Sequence, residues 1–559
     1  MPFDVAVQLA RKRGRNSVVE CQLPKLDVVG SSPIARSIIC FKKILPDSIT
    51  IRFLSLFVVS IFLLPHPSFS QIESDPSRPF DGGEIVDLPG TKLFLGDLPH
   101  EIKITTEPLF FHSIEGDLAT EVGWVDPTRS HQIGLRSSSP GILFEGIPFP
   151  LATNKQIGWM SAGGSVEVFD FPSAAWWGPS AASGAVLLQP FSAQSKDSSE
   201  ISIFGGANGL LGGDYIYRGN LLSVNGNYQH TPPSFINGNG ADFINVSSQQ
   251  NWVKTNTIEL NSGFLASQWL TNDYWYLAYS SFSLLSPNFQ SLELRPYFQT
   301  VQTNGQTAKE VGSYLNYHVN MAGLAESHLG FGISHLDSGP LPTQTDKGFV
   351  QSTNFIDVLG DVTFDLALRY DFSSASTALF SDLVGIQNHR GDFVFFANYG
   401  KGVLTPASQD VQEANVGIGY QATAEWDAKL KYIHEQVGAH PIDGAKVQVQ
   451  FNHDRTFLMI FKKPKILIEG QGLQDENGNV VTDFGGQVEF SFFPRNHFWL
   501  KGRGGSQQPF FCEAGGDYSF AVAFKAFVSV ANLDNLPVAW PDPNLPVGRV
   551  LWAGISGQF

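Results

Sequence analysis

Polar and apolar residues alternate through most of the chain from Ser199 onward. One such run sets four residues on one face against four on the other: Thr363, Asp365, Ala367 and Arg369 against Phe364, Leu366, Leu368 and Tyr370. Residues 257–264 and 327–334 show the same period of two. This period predicts β-strands with a single apolar face, and the stretch has no convincing helical period.

The length of the pattern favours a membrane barrel over a soluble sandwich. The region holds about 22 candidate strands, or roughly 16 residues for each strand with its turn, and a membrane-spanning strand needs about 9–11 residues. Longer connections are expected at Thr231–Thr255 and Asn532–Gly548. A sheet in lipid must close on itself to pair its backbone groups. We therefore predict an all-β fold with an antiparallel transmembrane β-barrel of about 22 strands over residues 199–559.

Composition agrees with this fold class. Hydrophobic residues make up 42% and charged residues 16% of the chain, and 45 residues are Phe. After residue 64 no apolar run reaches the 18 residues of a transmembrane helix. The net charge of −16 disfavours a nucleic-acid partner. It fits a lumen or loops that attract cations, although a generally solvated acidic surface is the simpler explanation of the charge alone.

The start of the chain contains a leader pattern. Phe53–Leu64 is an apolar core, Arg52 precedes it, and Ser68 and Ser70 are the small residues of a cleavage site after Ser70. This arrangement predicts a signal peptide over residues 45–70, the alternative being a buried element of a soluble domain. Residues 1–44 are expected to be a spurious N-terminal extension, because Arg13–Ser37 resembles a translated transfer-RNA gene.

Four motifs follow in a fixed order between the leader and the barrel. After a polar tail over residues 71–100, a region at 101–190 contains the segments Leu135–Ser137, Ile142–Pro148 (ILFEGIP), Ser165–Pro172 (SVEVFDFP) and Trp177–Leu188 (WGPSAASGAVLL). Short strand-like pieces in it are Glu101–Thr105, Gln132–Arg136, Ile142–Glu145 and Val166–Phe169. In order and spacing these motifs resemble the plug of TonB-dependent outer-membrane receptors. Phe527–Asn535 and Gly548–Phe559 resemble that family's last two barrel strands.

The resemblance implies a small N-terminal plug domain inside the barrel lumen. The plug-motif residues that it identifies are Arg136, Glu145, Gly146, Glu167, Gly178 and Gly184. Four positions depart from the family pattern: Ser137 replaces Gly, Glu145 replaces Asp, Asp170 replaces Arg, and Ser183 replaces the first Gly of a pair. These changes indicate a divergent plug, so the fold is better supported than energised transport.

A short segment before the plug is a candidate TonB box. It consists of Glu84, Ile85, Val86, Asp87 and Leu88. Such a strand would bind TonB by adding to an edge of its sheet through backbone hydrogen bonds. An ordinary first strand of the plug explains the segment equally well.

Ligand contact is expected at the outer side of the plug and at the loop Thr231–Thr255. The candidates are Ser138, Ser139, Asn154, Lys155 and Trp159 in the plug, and Phe235, Phe243 and Trp252 in the loop. These side chains could meet a ligand through hydrogen bonds and ring contacts. Packing against the barrel wall or within the loop is the alternative for each.

The function that the resemblance implies is uptake of a scarce ligand through a plugged barrel, energised by TonB. The ligand would be a metal chelate, cobalamin or an oligosaccharide. The alternative is a porin-like or surface-binding barrel without TonB coupling. No enzyme motif, cofactor or metal site is evident, since the 13 His are scattered and lack an H-E-x-x-H pattern. The expected location is the outer membrane of a Gram-negative-type bacterium, with lipid and the barrel assembly machinery as partners.

The last strand is expected to carry the assembly signal at Phe559. By the period of two, Leu551, Ala553, Ile555 and Phe559 share the face toward lipid. This strand must pair with the first one, near Glu200–Gly205, to leave no open edge.

Overall fold

The computed structural model describes the barrel strands and part of the plug. The described residues are 85–88, 91–94, 102–105, 141–149, 165–169, 171–182, 184–190, 197–206, 209–231, 241–269, 273–286, 290–303, 305–321, 325–338, 343–358, 362–404, 409–423, 426–452, 456–457, 461–474, 478–492, 495–506, 508–531, 533 and 550–559. The predicted extension at 1–44 and signal peptide at 45–70 lie outside them.

The described part of the plug contains seven short strands and one turn of helix. Their bounds are β1 Ile85–Leu88, β2 Thr91–Phe94, β3 Ile102–Thr105, β4 Gly141–Phe144, β5 Ile147–Pro148, β6 Ser165–Phe169, α1 Ala174–Trp177, a 3₁₀ turn at Pro179–Ala181, and β7 Ala185–Gln189. Strands β1 and β2 form a hairpin, and the other five form a sheet in the order β3-β6-β7-β4-β5. Strands β4 and β7 run parallel, whereas the other neighbours are antiparallel.

The barrel is a closed antiparallel sheet of 22 strands, which confirms the predicted fold class. The strands are β8 Ser198–Gly206, β9 Leu211–Arg218, β10 Leu222–Thr231, β11 Ala241–Lys254, β12 Ile258–Trp269, β13 Asp273–Ser286, β14 Gln290–Thr303, β15 Gln306–Met321, β16 Ala325–Ser338, β17 Thr343–Val358, β18 Val362–Ser373, β19 Leu379–Arg390, β20 Phe393–Leu404, β21 Gln409–Thr423, β22 Trp426–Val437, β23 His440–Asn452, β25 Phe461–Gln474, β26 Val480–Ser491, β27 Asn496–Gly505, β28 Gln508–Ala521, β29 Phe524–Ala531 and β30 Val550–Gln558. A two-residue strand, β24 (Thr456–Phe457), pairs with β25 beside this series.

The first and last strands meet, as the sequence predicts. Ile555 lies opposite Ile203, and Gln558 lies opposite Glu200. The backbone N–H of Phe559 donates to the Ser199 carbonyl at 2.7 Å, and the Ser199 N–H donates back at 2.9 Å. The seam is therefore hydrogen-bonded to its end, and the sheet has no open edge there.

The two faces of the strands differ as the alternation predicts. In β18, Asp365, Ala367 and Arg369 are buried toward the lumen, whereas Phe364 is exposed on the outside. In β16, Ile333 points outward and is exposed, whereas His328 is buried inward. An outer face of exposed apolar side chains and an inner polar face are the properties of a barrel that spans a membrane.

The two ends of the barrel also differ. The end that holds Ser198 and Phe559, here called the terminal end, has short connections such as 219–221 and 391–392. The opposite end, here called the loop end, has the longer connections 232–240 and 532–549. In outer-membrane barrels the longer loops face outside the cell.

Aromatic side chains form a girdle on the outside of the barrel at the terminal end. They pack in pairs around the barrel: Phe393 with Tyr420 at 4.9 Å, Trp426 with Phe451 at 4.6 Å, and Phe524 with Phe559 at 5.6 Å. A girdle of this kind marks the membrane interface of outer-membrane barrels. The structure is therefore that of an outer-membrane β-barrel.

Among the described residues, no helix is both long and apolar enough to cross a membrane.

Candidate functional site: the plug and its contacts in the lumen

The plug packs against the inner wall of the barrel through two apolar clusters. The first joins plug residues Ile142, Phe144, Ile147, Val186 and Leu188 to wall residues that include Leu265, Trp275, Tyr297, Tyr314 and Phe349. The second joins Leu143, Phe169, Phe171, Trp176 and Trp177 of the plug to Phe355, Ala367 and Leu383 of the wall. Displacing the whole plug would expose these side chains, so apolar burial holds it in the lumen.

The turn between β4 and β5 is held by a barrel arginine. Its two central residues, Glu145 and Gly146, have φ of 52° and 73°, as a type I′ hairpin turn requires. Arg295 of β14 donates from Nη1 to the Glu145 carbonyl at 2.7 Å. Glutamate rarely adopts positive φ, so the backbone of Glu145 is strained. The hydrogen bond from Arg295 stabilises this conformation.

Arg295 is itself fixed by neighbours in the wall. Its Nε and Nη2 donate to one carboxylate oxygen of Glu293, at 3.0 and 2.9 Å. The Ser281 hydroxyl donates to the same oxygen at 2.5 Å. All three side chains are buried. The charge of Arg295 is therefore paired with Glu293 within the wall, in addition to the hydrogen bond that Arg295 donates to the plug.

Gln299 binds the next plug residues. Its amide donates to the Pro148 carbonyl at 3.0 Å and to Glu310 at 2.8 Å, while Trp275 donates to its oxygen at 3.1 Å. Phe149 packs edge-on against the Trp275 ring at 4.9 Å. The β4–β5 hairpin is thus bound to the wall through its backbone carbonyls.

A second arginine binds the plug helix. Arg369 of β18 donates from Nη1 to the Trp176 carbonyl at 3.4 Å and to the Gln351 side chain at 3.0 Å. Its Nε and Nη2 bind the Asp371 carboxylate at 2.8–3.0 Å. The guanidinium lies 3.7 Å from the centre of the Phe349 ring. Arg295 and Arg369, here called the latch arginines, therefore reach from the wall to plug carbonyls.

Gly178 follows helix α1 and lies beside the Arg369 side chain. It has φ of 91° and ψ of −177°, a region that is essentially restricted to glycine. A Cβ added there would lie 2.9 Å from Nη2 of Arg369. The close approach of Arg369 to the helix end thus depends on the absence of a side chain at position 178.

We expect Gly178→Ala to loosen the helix from the wall. The backbone strain costs roughly 1–3 kcal/mol, and the new methyl group pushes Arg369 from the Trp176 carbonyl. Protease cleavage within residues 171–190 of the purified barrel should become faster.

The matched control is Gly226→Ala in β10, where an added Cβ has nothing within 4 Å. Equal cleavage rates in the two variants would contradict the assigned role of Gly178.

Several residues predicted from the plug motifs lie in this assembly. Glu145 and Gly146 form the turn bound by Arg295, and Gly178 lies beside Arg369. Gly184, with φ of 114°, accepts a hydrogen bond from the Gly141 N–H at 2.9 Å. Glu167 lies in β6 between Ile104 and Leu187 of the adjacent strands. Arg136 lies outside the described residues.

The predicted ligand-contact residues are not brought together in the described part of the chain. Ser138, Ser139, Asn154, Lys155, Trp159 and Phe235 lie outside it. Phe243 lies in β11, near the loop end.

The prediction that all of Thr231–Thr255 is an outer loop was wrong. Residues Ala241–Lys254 form β11, which leaves 232–240 as the connection. Trp252 lies at a bulge near the terminal end of β11, where its Nε1 donates to the Ser262 hydroxyl at 2.7 Å. Within β11, Asn245 and Ser247 are buried on the lumen side of the strand.

The candidate TonB box is the first strand of a hairpin. Ile85, Val86, Asp87 and Leu88 form β1, which pairs with β2, while Glu84 lies outside the described residues. The hairpin lies near β15 of the barrel. In its two-stranded sheet, β1 is paired along one edge only.

The latch arginines were not identified from the sequence. The alternation places Arg369 on the inner face of β18, but nothing local indicates that it reaches Trp176. A charged residue on the lumen-facing side of a strand is a sequence signal for a contact inside the barrel, because a buried charge needs a partner.

Comparison with known proteins gives matches by structure. No protein-family model matches the sequence, and no curated protein matches it either. The siderophore receptor PirA from Acinetobacter baumannii superposes with a TM-score of 0.69 at 11% identity, covering 82% of this chain and 98% of that one.

Two further receptors give similar values. PirA from Pseudomonas aeruginosa has a TM-score of 0.66 at 14% identity, with 82% of this chain and 99% of that one covered. The ferric-catecholate import receptor Fiu from E. coli K12 has a TM-score of 0.66 at 11% identity, with coverage of 83% and 97%. The chain therefore has the plugged-barrel fold of TonB-dependent siderophore receptors.

Proposed function

We propose that this protein is an outer-membrane receptor that takes up a metal chelate through its plugged barrel, with energy supplied through TonB. The observation that carries the proposal is the plug sheet seated in a closed barrel and bound to its wall by the latch arginines. Solved structures with this fold are siderophore receptors, which favours a chelate over cobalamin or an oligosaccharide.

The seated plug supports the proposal of an external energy source. The apolar clusters and the buried hydrogen bonds of Arg295 and Arg369 stabilise the closed state. Ligand binding can shift such a state only by its differential affinity for the open one. Transport makes and breaks no covalent bond, so the work of opening must come from a partner that pulls on the plug.

The β1 hairpin is the proposed point of attachment. It precedes the plug sheet in the chain, so a pull on it is transmitted toward β3 and β4. Strand addition requires backbone N–H and C=O groups along an edge, and β1 has one edge outside its hairpin pairing. Glu84–Leu88 is thus our candidate for the TonB box.

Replacing Val86 with proline should abolish energised uptake. Proline removes a backbone donor and fixes φ, which blocks pairing of the strand with another sheet. In cells that lack their own catecholate receptors, accumulation of a ⁵⁵Fe-labelled ferric tris-catecholate should fall to the level without the protein. Deletion of residues 84–88 should give the same result.

Val86→Thr is the matched control, because it keeps the backbone donor and a β-branched side chain. It should retain uptake. Uptake that survives both the proline variant and the deletion would rule out TonB coupling through this strand.

The second candidate is a plugged porin-like or surface-binding barrel without TonB coupling. Asp170, which stands where the family pattern has Arg, and the short mixed composition of Glu84–Leu88 favour it. A protonophore distinguishes the two: accumulation above the external concentration should stop in the energised case and be absent throughout in the passive case.

The remaining partners and sites are part of the same proposal. Ser138, Ser139, Asn154, Lys155 and Trp159, with Phe235 and Phe243, are proposed to contact the ligand. Trp252 is left out of this set, because it lies near the terminal end. Phe559 is proposed as the signal that the barrel assembly machinery reads, and lipid surrounds the outer face.

A further inference from the structure

Two histidines and a glutamate meet on the lumen wall near the terminal end. His318 of β15 lies directly opposite His328 of β16, and Glu326 lies two residues before His328 on the same face. The imidazole Nε2 atoms lie 2.8 Å (His318) and 3.0 Å (His328) from the same carboxylate oxygen of Glu326. We call these residues the His–Glu–His cluster.

The two imidazole rings are stacked, with centroids 4.4 Å apart and planes that differ by 8°. Each Nε2 lone pair lies in its own ring plane, so one ring must tilt for both atoms to bind a single ion. Phe355 packs edge-on against His328 at 6.2 Å and restricts that ring. Such an arrangement limits the loss of side-chain entropy on binding.

The donor set is one that transition-metal ions prefer. Imidazole nitrogen and carboxylate oxygen bind Zn²⁺ at about 2.0–2.2 Å, which places tetrahedral ligand atoms roughly 3.3 Å apart. The three donor atoms all lie within 4.8 Å of one another. The two contacts at 2.8 and 3.0 Å thus need to open by only a few tenths of an ångström to admit an ion.

We propose that the His–Glu–His cluster binds one first-row transition-metal dication, of which Zn²⁺ is the representative. His318 and His328 supply nitrogen ligands, and Glu326 supplies an oxygen ligand and a negative charge. His328 is buried, while the side chains of His318 and Glu326 are 26% and 14% exposed. Three protein ligands with one open side are typical of a site that keeps an exchangeable position.

This site goes beyond the proposed uptake of a chelate. It offers bare nitrogen and oxygen donors to a free ion, whereas a chelate arrives with its metal already coordinated. It also lies near Met321 and Ala325, where β15 ends and β16 begins, at the end away from the longer loops. An ion held here would link β15 to β16 across their hairpin.

Isothermal titration of the purified, detergent-solubilised full chain with Zn²⁺ tests the proposal. We expect one Zn²⁺ for each barrel, and a loss of affinity of at least about 100-fold in His328→Gln and in Glu326→Gln, since even second-shell changes cost 10–100-fold. The matched control is His335→Gln, which removes an outward-facing histidine from its contact with Asp346 and should bind as the native protein does.

Co²⁺ provides a second measurement on the native protein. Its visible absorption should show a four- or five-coordinate site that Zn²⁺ displaces. Absence of one-to-one Zn²⁺ binding by the native protein would overturn the proposal, as would equal binding by His328→Gln and His335→Gln. Each variant is first checked for a heat-modifiable barrel on SDS gels. Because no uptake assay is involved, these outcomes are independent of the transport proposal.

Discussion

Replacing Arg369 with alanine will destabilise the protein and release the plug helix. The change removes the donor to the Trp176 carbonyl and leaves Asp371 as a buried carboxylate without its guanidinium partner. Removing one member of a buried ion pair costs roughly 3–5 kcal/mol. The expected results are a lower urea midpoint for the barrel in detergent and a higher ion conductance of single barrels in planar bilayers.

The double variant Arg369→Ala/Asp371→Ala separates the two effects. It removes the buried carboxylate, so much of the urea stability should return. The Trp176 carbonyl still has no arginine donor, so the raised conductance should remain. If the double variant restores both the urea stability and the low conductance, then Arg369 acts only within the barrel wall. Its hydrogen bond to the plug would then not limit conductance.

Replacing Ile555 with arginine will sharply reduce the amount of assembled barrel. Ile555 is 55% exposed on the outer face, beside Ile203, which is 62% exposed. A charge on the lipid face costs about 2–4 kcal/mol at the bilayer midplane and less toward the interface. Because β30 also pairs with β8 at the seam, this cost bears directly on closure of the barrel.

The measurement is the amount of heat-modifiable protein in outer-membrane fractions. Val522→Arg is the matched control, because Val522 is fully exposed in the short connection between β28 and β29 at the terminal end. It should assemble at native levels. Normal assembly of the Ile555 variant would argue that this part of the outer face does not contact lipid.

The apolar contact between plug and wall bears on how a path could open. The β4–β5 hairpin and helix α1 are both held by a latch arginine and by an apolar cluster. The β1 hairpin lies before these elements in the chain and pairs only within its own two-stranded sheet among the described residues. A pull on β1 should therefore remodel the N-terminal part of the plug before it frees the latched part.

The sequence by itself determined the face that each strand residue occupies. A period of two is a local property, so the inward positions of Asp365 and Arg369 and the outward position of Ile555 followed from their spacing. The same reasoning identified the strand that closes the barrel, because a sheet in lipid cannot keep an open edge. The resemblance to a known family also singled out Glu145, Gly146 and Gly178, which the structure places at turns with positive φ.

The sequence predicted a loop where the structure has strand β11. The predicted loop over Thr231–Thr255 contains Asn, Ser and Gln residues, and these are compatible with a barrel strand because one side of such a strand faces a polar lumen. The bulge at Trp252 further interrupts the alternation there. Composition cannot distinguish a lumen-facing strand from a loop when the period is broken.

Only the tertiary structure decided which inward side chains meet. Arg369 binds the backbone of a residue 193 positions away, and Arg295 binds one 150 positions away. His318 and His328 become neighbours only through the register of β15 and β16. Register and plug seating arise from packing across the whole lumen, a long-range property, whereas the period along each strand specifies only which side of the wall a residue faces.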